Sequence, residues 1–576
     1  MSKKIICLFL SLIMLLAVCL TSCTDQGAAA TDPNQKDVDA QTLAMYLMCE
    51  EKVSDATAAA IEQAVNTITM NKFKTKLKLY FYTEDEYYAK LDAAFAARDE
   101  AKKNGTIMNS NKVEETDEDG NVIDNSDTYP EIAPYQVDIF YFGGKDNFDK
   151  YKGAGMLSKL DDEINTTSQI LKTTIANQYL NSIKSPNRGT YAIPTCKAIG
   201  EYTYLLLNKE ALEADYRRNA NGTNDYSAYS SLTCDEIKDF LFSVSDPEGE
   251  LADKFYPIST NLSEGEILIN NLKYWGVDED GKLSDAFSIL GGYYTNNQDY
   301  LDVNAYSKIE NLFENQRFLN DIKTLKEYSF KGYYEADENK EFAVGYFKGG
   351  AELAEQYGDK YELVPIECPR LDEEELYSDL FGVCSYTRSV SRSMEIITFL
   401  NTDEGFRNLL LYGVEEENYL LNVFTEKDEF GKDKPIKNQY GENIVGVEKI
   451  EREDNYVMSI NKTGNTLLAY PTMDESPTLR QYQVKQNQDA KVRLELDFAV
   501  TEDVDAEKLQ EIRTLSATLL EKYLACNNAA ELEAFIEEAR AQIAASEAVA
   551  YHLNAEEAGS LISCYNKWLK DKKIVK

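Results

Sequence analysis

The chain has 576 residues, of which 43% are apolar and 11% aromatic, enough to bury the cores of about two to four ordinary domains. Its formal net charge of −40 argues against binding nucleic acid, whose phosphates need Lys and Arg, and against lying flat on an anionic membrane. The single histidine, His552, argues against Ser-His-Asp and Cys-His catalysis and His-ligated zinc, so any enzyme would have to work with carboxylates.

The first residues predict export and lipid attachment. Lys3 and Lys4 precede an apolar run from Ile5 to Leu20, which is shorter than the roughly 20 residues of a membrane-spanning helix and is typical of a secretory signal. The run ends in Leu-Thr-Ser-Cys, which resembles the bacterial lipobox. That resemblance implies cleavage after residue 22 and acylation of Cys23 with diacylglycerol and palmitate. An ordinary signal peptide that happens to contain a cysteine remains the alternative, and residues 23–40 are expected to be a flexible polar tether.

The remaining cysteines do not form a recognisable framework. Without the three in residues 1–23, the ten cysteines of the chain become an odd, scattered set with no C-x-x-C pair. These are Cys49, Cys196, Cys234, Cys368, Cys384, Cys526 and Cys564. We interpret them as small buried hydrophobic residues, and we expect neither a metal site nor a cofactor.

The first part of the chain alternates between strand and helix patterns. An apolar strand over Thr42–Glu51 precedes a helical pattern over Ser54–Asn71, with Ser54 as N-cap. A second strand reaches Tyr82 and turns helical, and the stretch Tyr135–Ile164 contains a strand, a glycine loop and a helix. This order predicts a mostly parallel sheet, in which ligands bind beyond the carboxyl ends of the strands. That rule selects Glu50, Glu51, Thr83, Glu84 and residues 143–146.

The stretch Gly189–Leu212 predicts a change of sheet. A strand-like run stops at Pro194, which lacks the N–H that a central strand needs, and an apolar run restarts over Tyr202–Asn208. We interpret this interruption as the chain passing from one lobe to another. The rest of the chain is predicted as follows: a loose insertion over 103–134, a capping box at Thr233, helix over 301–331, strand–helix–strand over 341–369, helix over 389–413, a turn-rich insertion over 424–460, and helices in the last hundred residues.

Four stretches resemble motifs of the extracellular solute-binding lipoproteins of ABC transporters, family 1, the group that includes maltose-binding protein. They are "VDIFYFGGKDNFDKYKGAGMLSKLDD", "TYAIPTCKAIGEYTYLLLNKEAL", "FAVGYFKGG" and "FLNTDEGFRNLLLYGVEEENY". The resemblance covers the chain from about Thr42 to the C-terminus. It departs from the family at Leu207, where tyrosine is usual, and in the two long insertions.

The resemblance implies an α/β protein with the two-lobed periplasmic-binding-protein type II fold, a hinge and a helical C-terminal region. By this analogy, the first lobe comprises residues 41–193 and 341–396, and the second comprises residues 194–340 and 397–576. Two such lobes close on a ligand by hinge motion, for which periplasmic binding proteins are a known example.

The resemblance also implies a sugar site between the lobes. Asp146, Glu201 and Tyr346 match positions where the family's acids and aromatics contact ligand. Carboxylates accept hydrogen bonds from sugar hydroxyls, and aromatic rings stack on the C–H faces of sugars. The complete set of expected ligand-binding residues is Glu50, Glu51, Tyr82, Glu84, Gly143, Gly144, Asp146, Asn147, Glu201, Tyr202, Trp275 and Tyr346.

The implied function is the capture of an extracellular solute, expected to be an oligosaccharide, by a lipid-anchored monomer on the extracytoplasmic face of the cell membrane. Its expected partners are the transmembrane permease subunits of an ABC importer, and no reaction takes place on the solute. Peptides and polyols remain alternative ligands. The rival functions are a surface glycoside hydrolase with paired carboxylates and an all-helical glycan-binding lipoprotein.

Overall fold

The computed structural model describes residues 39–105, 129–184, 189–214, 237–263, 274–277, 283–284, 287–293, 309–438, 440–452, 456–492 and 504–571. The predicted signal peptide, Cys23, most of the tether, most of the insertion predicted over 103–134 and the capping box at Thr233 lie outside these residues.

The strands of the described residues are β1 (Gln41–Cys49), β2 (Thr75–Thr83), β3 (Ile139–Phe142), β4 (Ile193–Pro194), β5 (Tyr202–Asn208), β6 (Phe255–Thr260), β7 (Tyr274–Val277), β8 (Leu283–Ser284), β9 (Leu290–Tyr293), β10 (Glu310–Asn311), β11 (Glu341–Gly349), β12 (Tyr361–Glu367), β13 (Arg370–Leu371), β14 (Leu380–Val383), β15 (Tyr419–Val423), β16 (Thr425–Lys427), β17 (Asp433–Pro435), β18 (Val445–Lys449) and β19 (Lys491–Val492).

The α-helices of the described residues are α1 (Asp55–Phe73), α2 (Glu84–Lys103), α3 (Lys145–Gly153), α4 (Asp161–Asn165), α5 (Leu171–Thr174), α6 (Asn177–Ser182), α7 (Lys209–Ala214), α8 (Lys238–Ser245), α9 (Gln316–Phe330), α10 (Ala351–Tyr357), α11 (Glu373–Tyr377), α12 (Val390–Thr402), α13 (Glu404–Tyr412), α14 (Leu479–Asp489), α15 (Ala506–Ala525), α16 (Ala529–Ala545), α17 (Glu547–His552) and α18 (Leu561–Asp571).

The first sheet has the strand order β2-β1-β3-β14-β4. Its three amino-terminal strands are parallel and alternate with α1, α2 and α3, as the sequence pattern predicted. Strand β14 runs antiparallel to both β3 and β4. The Ser54 hydroxyl accepts a hydrogen bond from the Thr57 amide at 3.1 Å, which confirms Ser54 as the N-cap of α1.

The second sheet has the strand order β12-β5-β11-β6. Here β5 runs antiparallel to both of its neighbours, while β11 and β6 are parallel. A smaller sheet of β7 to β10 is formed by antiparallel pairs. Strands β4 and β5, which the proline separates in sequence, therefore belong to different sheets, as predicted.

Each main sheet has its own hydrophobic core, so the fold is the predicted two-lobed α/β architecture. The core of the first lobe includes Leu43, Phe140 and Leu400, whereas that of the second includes Leu205 and Ile322. The carboxyl-terminal helices α15 to α18 pack into the second core, which confirms the predicted helical C-terminal region. The sheets rule out the all-helical alternative.

The chain crosses between the lobes at positions that differ from the predicted ones. Strands β11 and β12 pair within the second sheet, although residues 341–396 were assigned to the first lobe. Residues of α12, α13 and the chain as far as Ala490 pack into the first core, although 397–576 were assigned to the second lobe. The prediction was wrong because an apolar strand pattern shows that a strand exists without showing which sheet it joins.

Three crossings connect the lobes, over residues 195–201, 368–370 and 490–504, and the described parts of all three are in contact. Gly200 has a φ of +49°, and a Cβ there would lie 2.7 Å from the carbonyl oxygen of Arg370. Arg370 is paired with Lys491 in the short parallel sheet β13–β19. The hinge is therefore a packed bundle of backbones, which requires glycine at position 200.

Candidate functional site

The carboxyl edge of the first sheet brings together residues that are far apart in sequence. Glu50 follows β1, Glu84 follows β2 and Gly143 follows β3, as parallel strands require. Strand β14 runs the other way, so its first residue, Leu380, is paired with Phe142 at this edge. Leu380 is also paired with Pro194, so the first crossing leaves the sheet here.

Lys462 connects two of the predicted acids. Its Nζ lies 3.4 Å from a carboxylate oxygen of Glu50 and 3.7 Å from one of Glu84. The Lys462 side chain is only 15% exposed, because the chain around it packs along β1, where the Glu50 amide donates to the carbonyl of Val457 at 3.1 Å. No signal in the sequence pointed to Lys462, which is 412 positions from Glu50.

The glycine loop after β3 is a close backbone contact. A Cβ on Gly143 would lie 2.3 Å from the carbonyl oxygen of Ser378. The Gly143 amide donates to the Tyr88 hydroxyl at 3.2 Å, and the Gly144 amide donates to the carbonyl of Tyr377 at 2.7 Å. Asn147 donates its side-chain amide to the Gly143 carbonyl at 2.7 Å. Both glycine amides are thus occupied within the protein, so the loop is not a phosphate cradle.

An ion pair lies next to this loop, at the start of the first crossing. Lys197 donates to Asp379 at 3.0 Å, and the Tyr141 hydroxyl donates to the other Asp379 oxygen at 2.8 Å. Burial and the Asp379 carboxylate both raise the pKa of Tyr141, which therefore stays protonated as a donor. Neither Lys197 nor Asp379 was predicted as a site residue.

The other first-lobe candidates are exposed or half-buried. Asp146 is exposed in the first turn of α3, and Glu51 is exposed beside Glu50. Tyr82 is half-buried, and its ring is nearly parallel to that of Tyr80 at a centroid distance of 6.4 Å. These side chains present acceptors and an aromatic surface to solvent at the same edge.

The strand pairing of the second sheet shows which residues lie at the edge where the first crossing enters. The first residue of β5, Tyr202, is paired with the last residue of β11, Gly349. Glu201, the predicted crossover acid, is exposed at this edge. Asn261, just beyond β6, exchanges two hydrogen bonds with the backbone of Lys348, at 2.7 and 2.9 Å. The first crossing enters the second lobe at this polar edge.

The predicted aromatic residues of the second lobe are not on this exposed edge. Tyr346 is 3% exposed and lies in the second core, because its register partner Leu205 points to the same inner face. Tyr202 is also buried, stacks on Tyr204 at 4.6 Å and donates to Asp489 at 2.9 Å. Trp275 is in β7, and its side chain lies outside the described part of the chain.

A half-buried carboxyl group supports the first crossing. Both oxygens of Glu375 accept from the Gly200 amide, at 3.1 and 3.2 Å, and the Tyr179 hydroxyl lies 3.4 Å away. Burial raises the pKa of Glu375 to about 7, against the opposing effects of the Gly200 hydrogen bond and the nearby Lys197. Glu375 therefore titrates near neutral pH at the hinge.

Helix α14 fixes the same crossing from the other side. Asn487 accepts from the Ile199 amide at 2.8 Å and donates to the Lys197 carbonyl at 2.8 Å. Gln486 donates to the Ile199 carbonyl at 2.9 Å. These bonds satisfy backbone groups that no sheet could pair, since residues 195–201 lie between two sheets.

The part of the chain that the structure describes contains neither a metal site nor an accessible histidine. No group of three or more His, Cys, Asp or Glu side chains is placed there to hold a metal ion. His552 is fully buried among the carboxyl-terminal helices, and its Nδ1 accepts from the Leu561 amide at 3.0 Å.

Comparison with known proteins gives structural relatives only. No protein-family model and no curated protein matches the chain. Similar solved structures include the N-glycan transport solute binding protein NgtS from Streptococcus pneumoniae, with 17% identity, 92% of this chain and 100% of that chain covered, and a TM-score of 0.46. An extracellular solute-binding protein from Bifidobacterium longum subsp. infantis has 12% identity, 92% and 98% coverage and a TM-score of 0.40. A family 1 extracellular solute-binding protein from Alicyclobacillus acidocaldarius has 11% identity, 88% and 98% coverage and a TM-score of 0.37. These three solved structures are all of solute-binding proteins.

Proposed function

We propose that the chain is the substrate-binding component of an ABC importer and captures an extracellular oligosaccharide between its two lobes. The observation that carries this proposal is the pair of polar sheet edges joined by the first crossing. The crossing leaves the first lobe at the edge with Glu50, Glu84 and Gly143, and it enters the second lobe beside Glu201. A ligand held by both edges would favour the closed arrangement of the lobes.

The chemistry of the edges favours a neutral, hydroxyl-rich solute. Carboxylates of Glu50, Glu84, Asp146 and Glu201 can each accept hydrogen bonds from sugar hydroxyls, and Tyr82 offers a ring for stacking. An anionic solute would meet repulsion from these acids, which the Lys462 ammonium group only partly offsets. The motif resemblance points to the same class of ligand.

Binding requires no bond to be made or broken in the solute, so the proposed protein is not an enzyme. The solute shifts the population of open and closed forms by its differential affinity for the closed form. The closed form is then recognised by the transmembrane permease subunits, which are the proposed protein partners. The binding protein itself acts as a monomer.

The proposed location is the extracytoplasmic face of the cell membrane, with a lipid on Cys23 as the anchor. Among the helices of the described residues, none is both long and apolar enough to cross a bilayer. The mass of the mature chain tests the anchor directly. Cleavage before Cys23 with added acyl mass is the expected result, and an unmodified N-terminus would contradict it.

Isothermal calorimetry against mono- and oligosaccharides, polyols and peptides tests the proposed ligand class. We expect an oligosaccharide to bind and the variants Glu50→Gln, Asp146→Ala and Glu201→Ala to weaken that binding. Asp149→Ala is the matched control, because Asp149 is an exposed acid on the same helix as Asp146. Unchanged affinity in all three variants would contradict the site, and cleavage of a glycan at enzyme concentrations would contradict the function.

A further inference from the structure

A short loop of the first lobe, residues 460–465, lies along the carboxyl edge of the first sheet, and we call it the edge loop. Lys462, whose two acidic partners follow β1 and β2, belongs to this loop. On the other side, the hydroxyl of Thr195, which directly follows β4, donates to the carbonyl of Asn461 at 3.1 Å. Because β2 and β4 are the outermost strands of the sheet, the edge loop reaches from one side of this edge to the other.

Arg407, in α13, holds both ends of the edge loop. Its Nε donates to the carbonyl of Asn465 at 2.9 Å, and its Nη2 donates to the carbonyl of Ile460 at 2.8 Å. The side chain is fully buried, forms no ion pair with the described residues, and has an Nη1 with no hydrogen-bond partner among them. A buried cation without a carboxylate partner is costly. The two carbonyls of the edge loop are therefore the groups that compensate this charge.

Further contacts fix the shape of the edge loop. The Thr463 hydroxyl is buried and lies 3.2 Å from the carbonyl oxygen of Ser459 and 3.4 Å from that of Ile460. Gly464 has a φ of +103°, and a Cβ there would lie 2.7 Å from the carbonyl oxygen of Leu400 in α12. This position requires glycine, both for its φ and for the close approach of the helix. The edge loop is thus held in one conformation before any solute arrives.

The Asn461 side chain is the part of the edge loop that these contacts leave unused. It is half-buried, and its amide group forms no hydrogen bond with the residues that the structure describes. The side chain of Asn465, in contrast, donates to the carbonyl of Asn401 at 3.2 Å and accepts the amide of Leu467 at 3.0 Å. A polar group that is partly withdrawn from water and has no protein partner gains stability when a ligand supplies one.

A sugar needs hydrogen-bond donors as well as acceptors, since each hydroxyl both donates and accepts. The acids at the carboxyl edge can only accept when they are ionised. Several donors at this edge are already occupied: the amides of Gly143 and Gly144, the side chain of Asn147 and the ammonium group of Lys462. The Asn461 amide has both an NH₂ donor and a carbonyl acceptor, so it can bind two adjacent hydroxyls at once.

We propose that Asn461 is a further ligand-binding residue, which recognises a pair of adjacent hydroxyls on the solute, and that Arg407 is the positioning residue that holds the edge loop for this contact. The inference rests on the proposed function, because it needs a hydroxyl-rich solute at the carboxyl edge of the first sheet. It makes that function more specific, since the sugar unit bound at this edge must have two neighbouring hydroxyls free of glycosidic bonds.

Isothermal calorimetry with maltotriose, cellotriose, mannotriose and chitotriose tests the contact, and the sugar that binds most tightly is used with the variants. Asn461→Ala should weaken its binding by about tenfold, as expected for the loss of two hydrogen bonds. The matched control is Asn71→Ala, which should bind normally. Asn71 is an exposed asparagine near the end of α1, just before β2 begins, and therefore lies at the opposite edge of the same sheet.

Monodeoxy analogues of the same sugar test the recognition of adjacent hydroxyls. Removal of either hydroxyl of the recognised pair should weaken binding to the unaltered chain. The same removal should have little further effect on Asn461→Ala, because the partner amide is already absent. If every deoxy analogue lost affinity equally for the two proteins, Asn461 would not contact a hydroxyl.

Arg407→Lys tests the positioning role. Lysine keeps the positive charge but lacks the planar fork that donates to both carbonyls. We expect this variant to bind the sugar more weakly, and we expect the double variant with Asn461→Ala to bind no more weakly than the weaker single variant, since both act through one contact. If Arg407→Lys does not fold, Thr463→Val, which removes one hydroxyl from the edge loop, takes its place in the same comparison.

These measurements separate a failure of the inference from a failure of the proposed function. Unchanged affinity of Asn461→Ala would overturn the contact, and the proposed function would stand if Glu201→Ala weakened binding in the same titrations. Lower stability of Arg407→Lys in urea with unchanged sugar affinity would overturn its positioning role. If the unaltered chain bound none of the sugars, the proposed ligand class and this inference would both be contradicted. Far-UV circular dichroism checks that each variant is folded.

Discussion

The sequence predicted ligand-binding residues at the edges of both sheets that meet at the hinge. The rule that ligands bind beyond the carboxyl ends of parallel strands holds for only one of these edges. In the first sheet, parallel strands β1, β2 and β3 carry Glu50, Glu84 and Gly143 to one edge. In the second sheet, β5 runs antiparallel to its neighbours, so one edge contains both starts and ends of strands. The rule that ligands lie beyond carboxyl ends applies to the first arrangement alone.

The contrast extends to the side chains. The first-lobe candidates follow their strands and are exposed or half-buried, whereas Tyr202 and Tyr346 lie within strands of the second sheet and are buried. A residue inside a strand faces one of two sides, and the choice depends on register with the partner strand. Acidic residues that directly follow strands are therefore better site candidates than aromatic residues within strands. Four substitutions, in the two lobes and at the hinge, test this contrast and the contacts around it.

The largest effect is expected for Tyr346→Ala. Its ring is buried in the second core, so truncation should lower the free energy of unfolding of that lobe by about 3–5 kcal/mol. Both tryptophans belong to elements of the second lobe, so urea unfolding followed by tryptophan fluorescence reports on it. Tyr82→Ala, at the half-buried position in the first lobe, is the comparison and should leave that transition in place. A native-like transition for Tyr346→Ala with lost solute binding would make Tyr346 a contact residue.

The junction between the lobes should respond to pH through Glu375. Its pKa is raised to about 7, so between about pH 4.5 and 7 the folded state keeps a proton that the unfolded state has lost. Stability attributable to this group therefore falls as pH rises through that window, by up to about 3 kcal/mol.

Glu375→Gln cannot lose a proton, so its stability relative to the unaltered chain should rise between pH 4.5 and pH 8. Urea unfolding at several pH values measures the difference. The control is Glu374→Gln, whose side chain is exposed on the same helix. A difference that is independent of pH would show that Glu375 is ionised throughout.

A smaller effect is expected for Gly143→Ala at the edge of the first lobe. The new Cβ would lie 2.3 Å from the Ser378 carbonyl oxygen, a backbone atom, so the loop must shift at a cost of about 1–3 kcal/mol. Gly153→Ala is the control, because no atom lies within 4 Å of its Cβ position. Far-UV circular dichroism during unfolding measures both variants, and equal stability would mean that the loop adjusts freely.

The smallest change in stability is expected for Lys462→Met. The ion pairs of Lys462 with Glu50 and Glu84 are partly solvent-exposed, so the loss should be below about 1 kcal/mol. Lys434→Met, which removes an exposed pair with Glu426 on the hairpin β16–β17, should cost as little. Calorimetry separates them, since only the Lys462 variant should change solute affinity. If the Lys462 variant binds the solute with unchanged affinity, Lys462 lies outside the site.

The sequence predicted local structure better than the assembly of distant segments. The alternation over residues 41–153, the Ser54 cap and the break at Pro194 depend on neighbouring residues, and the structure has all of them. The lobe assignment was wrong for β11 and β12 and for residues 397–490. It concerns which sheet or core a segment joins, and contacts between distant parts of the chain decide that. Lys462 escaped notice for the same reason, since only the packing of its segment along β1 brings it to Glu50.

The three crossings of the hinge also bear on how the protein is made. Among the described residues, the first lobe uses those within 39–194 and then within 371–490, and the second uses those within 202–367 and then within 504–571. A nascent chain emerging from the ribosome could therefore complete its first lobe only after some 490 residues, while the strands of the unfinished second lobe were already present. Nearly the whole polypeptide must be synthesised before either half reaches its native state, which gives chaperones a long window in which to act.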